Sequence, residues 1–200
     1  AGGTLRVVNG CEVKAGRVIR QRAPRRFVEG VQAVEYLRAF LAGRVGWNRL
    51  GGNLIISGAF GLFRREPMIA AGGYRHDTVG EDMELVVRMR RLAHERGEPE
   101  RIVFVPDPVA WTEVPRRLRV LARQRDRWHR GLTDVIERHR GILLNPRYGA
   151  MGLVVAPYFL LVELLAPVVE LVGIVALVVG LIVGAVNIPF AVMFLVVAYG

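Results

Sequence analysis

The chain has 200 residues, enough for one folded domain and a further segment, and its charge is distributed unevenly. All 28 lysine and arginine residues and 16 of the 18 acidic residues lie in residues 1–148, which therefore carry a net formal charge of +12. The remaining 52 residues form an apolar tail whose only charged residues are Glu163 and Glu170. This composition excludes a disordered chain, a collagen-like repeat, a disulfide scaffold and a wholly soluble protein.

Cys11 is the only cysteine, so neither an internal disulfide nor a cysteine-rich zinc site can form. A reducing, cytosolic environment is expected for such a chain. The chain begins without methionine, shows no signal-peptide pattern near Ala1 and ends inside an apolar run at residues 198–200. We therefore expect it to be a piece of a longer protein.

The first predicted elements are two strands and a helix. Thr4–Asn9 and Glu12–Arg20 read as strands joined by a turn at Asn9-Gly10. Phe27–Leu41 is predicted to be a helix because its apolar residues recur at helical spacing. Glycines at 43, 46, 51 and 52 then predict a loop. The predicted apolar face of the helix consists of Phe27, Val31, Val34, Leu37 and Leu41.

The following segment alternates further strands with helices. Residues 53–57 predict a buried strand, which breaks at Gly58-Ala59 and resumes over residues 60–64. A turn at residues 72–74 and a loop over 75–80 lead into a helix over 81–96, which Gly97 ends. A short strand over 102–105 ends at Pro106, and a last helix runs from Pro115 to about residues 128–131. The alternation indicates an α/β fold.

The apolar tail predicts a membrane region. A spanning helix needs about 20 apolar residues, so this tail suits two spans and the start of a third. Val168–Val186 is the clearest span, whereas Gly149–Ala166 fits either a span or a helix lying in the membrane interface. Glu163 and Glu170 are seven residues apart and share a helical face, which fits a polar channel lining, a protein contact or interfacial acids. The arginines just before the tail place the preceding domain in the cytoplasm.

Glu81 and Asp82 stand at the start of a predicted helix, directly after Gly80. Acids are favoured there because the helix dipole and the unpaired N–H groups attract negative charge, so a purely structural role explains them. The alternative is that Asp82 is a general base at the tip of a rigid helix, where it could accept a proton from an alcohol.

Gln124, Arg127 and Trp128 form a second constellation, because their spacing places them on one helical face. A guanidinium fork suits a phosphate, an amide can bind the same group or a sugar hydroxyl, and an indole can support a sugar ring. An amphipathic helix lying on a membrane, with Trp128 at the boundary, explains the same residues equally well. Both interpretations can hold together.

Four short segments and the tail, taken in order, resemble the membrane-bound family 2 glycosyltransferases. This group includes cellulose, chitin and hyaluronan synthases, and the resemblance is greatest to the poly-N-acetylglucosamine synthase type. It covers about residues 1–170. The segments that carry it are Ser57-Gly58-Ala59-Phe60, Gly72-Gly73-Tyr74, Gly80-Glu81-Asp82 and Gln124-Arg125-Asp126-Arg127-Trp128.

The resemblance implies a GT-A-type nucleotide-sugar fold and inverting, processive transfer from a UDP-sugar to a growing glycan, coupled to membrane export. Asp82, beside Glu81 in the catalytic pair, matches the general base. Gln124, Arg127 and Trp128 match the motif that holds the diphosphate and the acceptor sugar at the entrance of the membrane channel. The segment Ser57-Gly58-Ala59 matches the loop at the acceptor end. The implied partners are the UDP-sugar, the glycan, membrane lipid and accessory export subunits, in a multi-pass protein of the plasma (inner) membrane.

Several family features do not occur in this chain. The family binds Mg²⁺ or Mn²⁺ through an Asp-x-Asp motif, which is absent here, so the metal ligands are expected upstream. The half that binds the base and ribose is also missing. We therefore expect residues 1–147 to be the acceptor-side half of the catalytic domain, with an interfacial helix over 115–131, followed by the membrane region over 148–200. This piece alone is not expected to bind a UDP-sugar well.

Other functions are less consistent with the sequence. His76, His94, His129 and His139 lack metal-ligand spacing, and the arginine pairs accompany no DNA-binding motif, so no nucleic-acid partner is expected. Two alternatives to an active enzyme stay open. One is a membrane-anchored glycan-binding or export component with a degenerate transferase domain. The other is a basic adaptor on the membrane surface.

Overall fold

A computed structural model describes residues 1–49, 52–98 and 102–199 of the chain; it does not describe the side chains of residues 49, 108, 109 and 194–199. The chain divides into two units, Ala1–Tyr158 and Phe159–Gly200. The predicted site residues all belong to the first unit.

Strand β1 (Gly2–Val7) pairs in parallel with strand β4 (Phe104–Thr112), about a hundred residues further along the chain. The register shifts between Gly3 and Thr4, so residues 106–108 of β4 bulge out of the ladder. This bulge explains why the prediction that the strand ends at Pro106 is wrong, because proline is tolerated where no ladder hydrogen bond is needed. The hydroxyl of Thr4 donates to the Pro106 carbonyl at 2.8 Å.

The predicted hairpin is wrong in its pairing. The stretch Glu12–Arg20 is itself a hairpin, formed by β2 (Glu12–Lys14) and β3 (Arg17–Arg20) in antiparallel pairing. Its turn lies at Ala15 and Gly16, which both adopt positive φ, at 48° and 74°. The Asn9-Gly10 turn exists, but it leads from β1 into this separate hairpin because β1 takes its partner from β4.

The predicted helix over 27–41 continues beyond its expected end. Helix α1 (Phe27–Leu37) passes into a π-helical segment (Arg38–Gly43) and then into helix α2 (Arg44–Arg49). The loop predicted from Gly43 and Gly46 is therefore wrong there, and Gly51 lies outside the described residues. Because neither glycine has a positive φ, helical backbone accommodates both.

The packing of α1 differs from the usual amphipathic pattern, in which the apolar face turns inward. Its buried residues are polar: Gln32 is 1% exposed and Glu29 is 5% exposed. Gln32 donates to the carbonyls of Val28 and Pro115, at 2.8 and 2.9 Å. The predicted apolar face exists, but it is exposed. Its members are Phe27, Val31, Val34, Leu37 and Leu41.

Two strands predicted near the centre of the chain do not form. Residues 52–57 and 62–64 are irregular, and a single bridge joins Gly61 to Gly2. Within residues 53–57 the side chains of Asn53, Leu54 and Ile56 are buried, as expected. The carbonyl of Ile55, however, accepts a hydrogen bond from the Arg44 side chain and not from a neighbouring strand. Burial of a short apolar run is thus achieved without a strand ladder. A short helix that was not predicted, α3 (Arg65–Ala70), follows.

The two helices that carry the candidate motifs are α4 and α5. Helix α4 (Glu81–Glu95) begins after Gly80 and ends before Gly97, whose φ of 73° confirms the predicted helix stop. Helix α5 (Leu118–Arg138) begins three residues after Pro115 and extends seven residues beyond Gly131, so its predicted bounds are corrected. The turn at Gly72 and Gly73 is confirmed by their φ values of 88° and 67°.

The main apolar cluster joins the sheet to the segment after α1. Leu5 of β1, Phe104 of β4 and Phe40 are buried together, and the rings of Phe40 and Phe104 stack at 6.1 Å. Asn9, which is 4% exposed, links two other parts of the unit. It donates to Glu29 of α1 and to the Val114 carbonyl, both at 3.1 Å, and accepts from the Val114 N–H at 2.8 Å.

The second unit is helical. Helix α6 (Ala156–Tyr158) lies at the end of the first unit, a π-helical segment (Phe159–Leu164) opens the second, and α7 (Ala166–Ile182) and α8 (Ile188–Tyr199) follow. The helix at the span predicted over 168–186 ends earlier than expected, at Ile182, because the chain turns at Gly184 with a φ of 67°. In the described part of the chain, no helix taken alone has the length and apolar character needed to cross a membrane. Met151–Leu164 and Ala166–Ile182, bent by 43° at their junction, reach that length and apolar composition only when taken together.

Candidate active site

The carboxylate of Asp82 joins two of the predicted motifs. Asp82 lies in the first turn of α4, and its Oδ2 accepts a hydrogen bond from the backbone N–H of Gly58 at 2.9 Å. Its Oδ1 accepts from the N–H of the neighbouring Met83 at 2.8 Å. The start of α4 and the segment Ser57-Gly58-Ala59 therefore meet at this carboxylate.

Glycine at position 58 suits this close approach. A Cβ built on Gly58 would lie 3.2 Å from Oδ2 of Asp82, so a side chain there would shift the carboxylate by a few tenths of an ångström. Gly58 and Ala59 are exposed, whereas Ser57 is half-buried and its hydroxyl accepts from the Ala59 N–H at 3.4 Å. The loop thus presents backbone, with few side-chain atoms, beside the carboxylate.

The turn at residues 72–74 lies close enough to Asp82 and Glu81 for their negative charges to act on Tyr74. Partial burial raises the pKa of Tyr74, and the negative charges of Asp82 and Glu81 raise it further. Glu81 itself is exposed. The ring of Tyr74 packs edge-on against Phe63, with centroids 6.4 Å apart.

Helix α5 packs directly against the loop that precedes α4. The backbones of Gly80 and Gly131 touch, and a Cβ built on Gly131 would lie 3.0 Å from both Cα and N of Gly80. Gln124 and Arg127 lie seven and four residues before Gly131, on the face of α5 that makes this contact. Arg127 is therefore about one helical turn, or about 6 Å along the axis, from the level of Gly80.

The indole ring of Trp128 packs against the side chain of Arg125, which lies three residues earlier on α5. The guanidinium of Arg125 lies 4.9 Å from the centre of the indole ring, a cation–π contact. Arg125 also forms an ion pair with Glu35 of α1. Trp128 remains 43% exposed, so one part of its ring is open to a ligand. Sequence reasoning assigned no role to Arg125, although its position three residues before Trp128 was a usable signal.

The loop over 75–80 is further tied to the last turns of α5. Arg138 Nη1 lies 3.1 Å from Asp77 Oδ2, and its Nη2 donates to the Asp77 carbonyl at 2.9 Å. Hydrogen bonds from Arg75 and from Arg138 hold the pKa of Asp77 well below its usual range. The loop that presents Asp82 is therefore held at several points.

A buried polar network lies on the face of α4 opposite Asp82. Glu84, 1% exposed, accepts from Arg88 Nε at 2.9 Å and lies 3.3 Å from Nε2 of His139. Arg88 also donates to the carbonyls of Ala71 and Gly73, which fixes the turn before Tyr74. Burial lowers the pKa of His139, while Glu84 partly opposes that shift. Sequence reasoning missed this network, although the i, i+4 spacing of Glu84 and Arg88 was a usable signal. Its other members become neighbours only through tertiary packing.

A cavity of about 380 Å³ borders this network. Glu84, Arg88 and Arg91 contribute its α4 wall, and they lie on the opposite face of that helix from Asp82. Within residues 1–49, 52–98 and 102–199, no group of three histidine, cysteine or acidic side chains is placed to hold a metal ion.

The structure thus brings the segments at 57–59, 72–74 and 80–82 together with helix α5. Comparison with known proteins adds a family. A model described as glycosyl transferase family group 2 matches residues 13–199. No curated protein and no solved structure matches the chain. Since the match extends over most of its length, the chain belongs to glycosyl transferase family group 2.

Proposed function

We propose that the protein is an inverting, processive membrane glycosyltransferase that adds a hexose or N-acetylhexosamine from a UDP-sugar to a growing polysaccharide. Family membership supports transfer of a sugar from a donor to an acceptor in general. The observation that carries the specific proposal is the hydrogen bond from Gly58 N–H to Asp82. It anchors a carboxylate at the tip of a helix, beside an exposed glycine loop that can admit an acceptor.

In the proposed step, Asp82 is the general base and Glu81 is its neighbour in the catalytic pair. The Asp82 carboxylate takes the proton of the acceptor hydroxyl while that oxygen forms a bond to the anomeric carbon of the donor. The bond between this carbon and the diphosphate oxygen breaks, and its electron pair leaves with UDP. Of about four lone-pair sites on a carboxylate, the hydrogen bonds from Gly58 and Met83 use two. They orient the group without using all of its acceptor capacity.

The residues on α5 are proposed to bind the two substrates. Arg127 and Gln124 would hold the diphosphate, because a guanidinium fork matches phosphate oxygens. Trp128, partly exposed and backed by Arg125, would support the acceptor sugar. Ser57, Gly58 and Ala59 would border the acceptor end. The contact between Gly80 and Gly131 supports these roles, since it keeps α5 against the loop that leads into the first turn of α4, where Asp82 lies.

We further propose a cytoplasmic catalytic domain on a multi-pass protein of the plasma (inner) membrane. The apolar composition of residues 149–200 and the arginines that precede them support this placement. Mg²⁺ or Mn²⁺ is proposed as the metal, with ligands upstream of the residues described here. Membrane lipid and accessory export subunits are the proposed partners beside the donor and the glycan.

The test is sugar incorporation by membranes that contain the full-length protein. Asp82→Asn keeps the shape of the side chain but removes the base, so the rate should fall about a hundredfold or more. Glu98→Gln is the matched control, because it changes an exposed acid beyond the other end of α4 and should leave the rate unchanged. Near-normal rates with Asp82→Asn would show that Asp82 is not the base.

Trp128→Ala tests processivity in the same assay. Loss of the ring should give short products or none, because the acceptor sugar loses its platform between additions. Leu118→Ala, an exposed apolar position on the same helix, should give products of normal length. Unchanged product length with Trp128→Ala would mean that Trp128 only anchors the helix. A wild-type protein that binds glycan but transfers no sugar would favour the non-enzymatic export component.

A further inference from the structure

Helix α1 turns its polar side chains inward and its apolar side chains outward. Inside, Glu29 accepts a hydrogen bond from Asn9 and pairs with Arg116 at 3.2 Å, while Gln32 donates to Pro115. These contacts fix the rotation of the helix, since the buried amide and carboxylate would lose their partners if it turned. The opposite, apolar face must therefore point away from the fold.

The outward face is large and continuous. Its side chains are between 46% and 85% exposed, and they follow one another at helical spacing over four turns. Contiguous apolar surface of this kind on a folded domain marks a contact with another apolar phase or partner. We call this surface the α1 face; it consists of Phe27, Val31, Val34 and Leu37 of α1 and Leu41 of the π-helical segment that follows.

The charge around the α1 face identifies what it contacts. Arg25 and Arg26 are exposed immediately before its first residue, and Arg38 is exposed eleven residues after Phe27, a rotation of about three turns that returns to the same side. The helix acids lie elsewhere: Glu29 is buried, and Glu35 pairs with Arg125. The surface thus combines apolar side chains with cations and carries no acid.

We infer that the α1 face is a docking surface for a lipid bilayer with anionic headgroups. An interfacial helix buries its apolar side chains at the boundary between headgroups and acyl chains while its cations attract anionic phosphates. Arg38 suits this setting because an arginine can bury its stem and keep its guanidinium at the surface. The inference rests on the membrane setting of the proposed function, but it concerns a surface separate from the candidate active site.

Docking would also affect the candidate active site. Glu35 links α1 to Arg125, and Arg125 stacks on Trp128. A bilayer that holds α1 therefore holds the part of α5 that carries the proposed acceptor platform. The consequence is that Trp128 would be kept at a constant height above the membrane during successive additions.

The test uses the full-length protein in vesicles of phosphatidylcholine and phosphatidylglycerol. Val34→Cys, in a background where Cys11 and any other native cysteine are replaced by serine, gives one labelling position on the α1 face, for a fluorophore that spin-labelled lipids quench. Arg96→Cys in the same background is the control, because Arg96 is exposed at the end of α4, about 20 Å along that helix from Asp82. Quenching at position 34 should be several-fold stronger than at position 96. A label at position 34 that stays in water, or that is shielded without being quenched by lipid, overturns the inference.

A second set of variants, which removes positive charge, distinguishes docking to an anionic bilayer from contact with another partner. The double variant Arg25→Gln with Arg26→Gln should lower the ratio of docked to undocked helix by about fivefold for each arginine removed. This ratio is measured by lipid quenching of the label at position 34. Arg64→Gln with Arg65→Gln removes the same charge from another exposed site and should have little effect. Equal effects of the two double variants would overturn the inference. Sugar transfer in the same vesicles tells the two failures apart, because transfer without quenching rejects only the docking surface, and quenching without transfer rejects only the proposed function.

Discussion

Replacement of Gly131 by alanine tests whether the contact between α5 and the loop before α4 sets the geometry of the candidate site. The added methyl group would lie 3.0 Å from Cα and N of Gly80. Both are backbone atoms, so neither can rotate away as the end of a side chain can. Helix α5 would have to move apart from the loop that leads into α4, and with it from the first helical turn that carries Asp82.

The size of the effect follows from these distances. Carbon contacts normally begin near about 3.5 Å, so the two backbones must separate by about 0.5 Å. Because a misplacement of about 1 Å at reacting groups costs about a hundredfold in rate, we expect about a tenfold loss of sugar transfer. Overpacking costs about 1–3 kcal/mol of stability, and alanine returns about 1 kcal/mol through its helix propensity. The net loss should be about 1 kcal/mol.

The assay measures the rate of sugar incorporation and the free energy of unfolding for the same preparations. Gly30→Ala is the control, since Gly30 lies within α1 and a Cβ there meets nothing within 4 Å. It should keep full activity and gain up to about 1 kcal/mol. If Gly131→Ala behaved like this control, the backbone contact would not constrain the site and our account of α5 would be refuted.

Two further predictions concern stability. Asn9→Ala should lower the free energy of unfolding by about 3 kcal/mol, because the buried N–H and carbonyl of Val114 both lose a partner; a loss below about 1 kcal/mol in urea unfolding would contradict it. Burial lowers the pKa of His139 and so favours its neutral form in the folded state. Its contribution to the free energy of unfolding is therefore present above about pH 6.5 and is lost as the pH falls through the folded-state pKa. The midpoint of thermal unfolding should therefore fall less on acidification in His139→Gln than in the wild type, and equal falls would refute this assignment.

Local sequence signals were sufficient where neighbouring residues determine the structure. Helix α4 begins after Gly80 and ends before Gly97 as predicted, because its apolar stripe and its glycine stop are contained within one stretch of chain. The positive-φ turn at Gly72 and Gly73 is local for the same reason. The apolar face of α1 could also be predicted from spacing, since helical periodicity places its members together wherever the helix lies.

Predictions from local sequence were wrong where a segment pairs with a distant part of the chain. The Asn9-Gly10 signal favoured a hairpin, but β1 pairs with β4 a hundred residues away, so the hairpin forms within Glu12–Arg20 instead. Apolar spacing likewise did not reveal that α1 faces outward. That outcome depends on distant residues, because Asn9 donates a hydrogen bond to Glu29 and the Pro115 carbonyl accepts one from Gln32.

The sequence by itself determined the residue types of this protein's candidate site, the helices that carry them and the division into a basic segment and an apolar tail. The tertiary structure alone decided how those residues meet. Gly58 donates to Asp82, Gly80 touches Gly131, and Glu84 lies beside His139. Each contact joins segments far apart in the chain, and its formation depends on packing that no local propensity encodes.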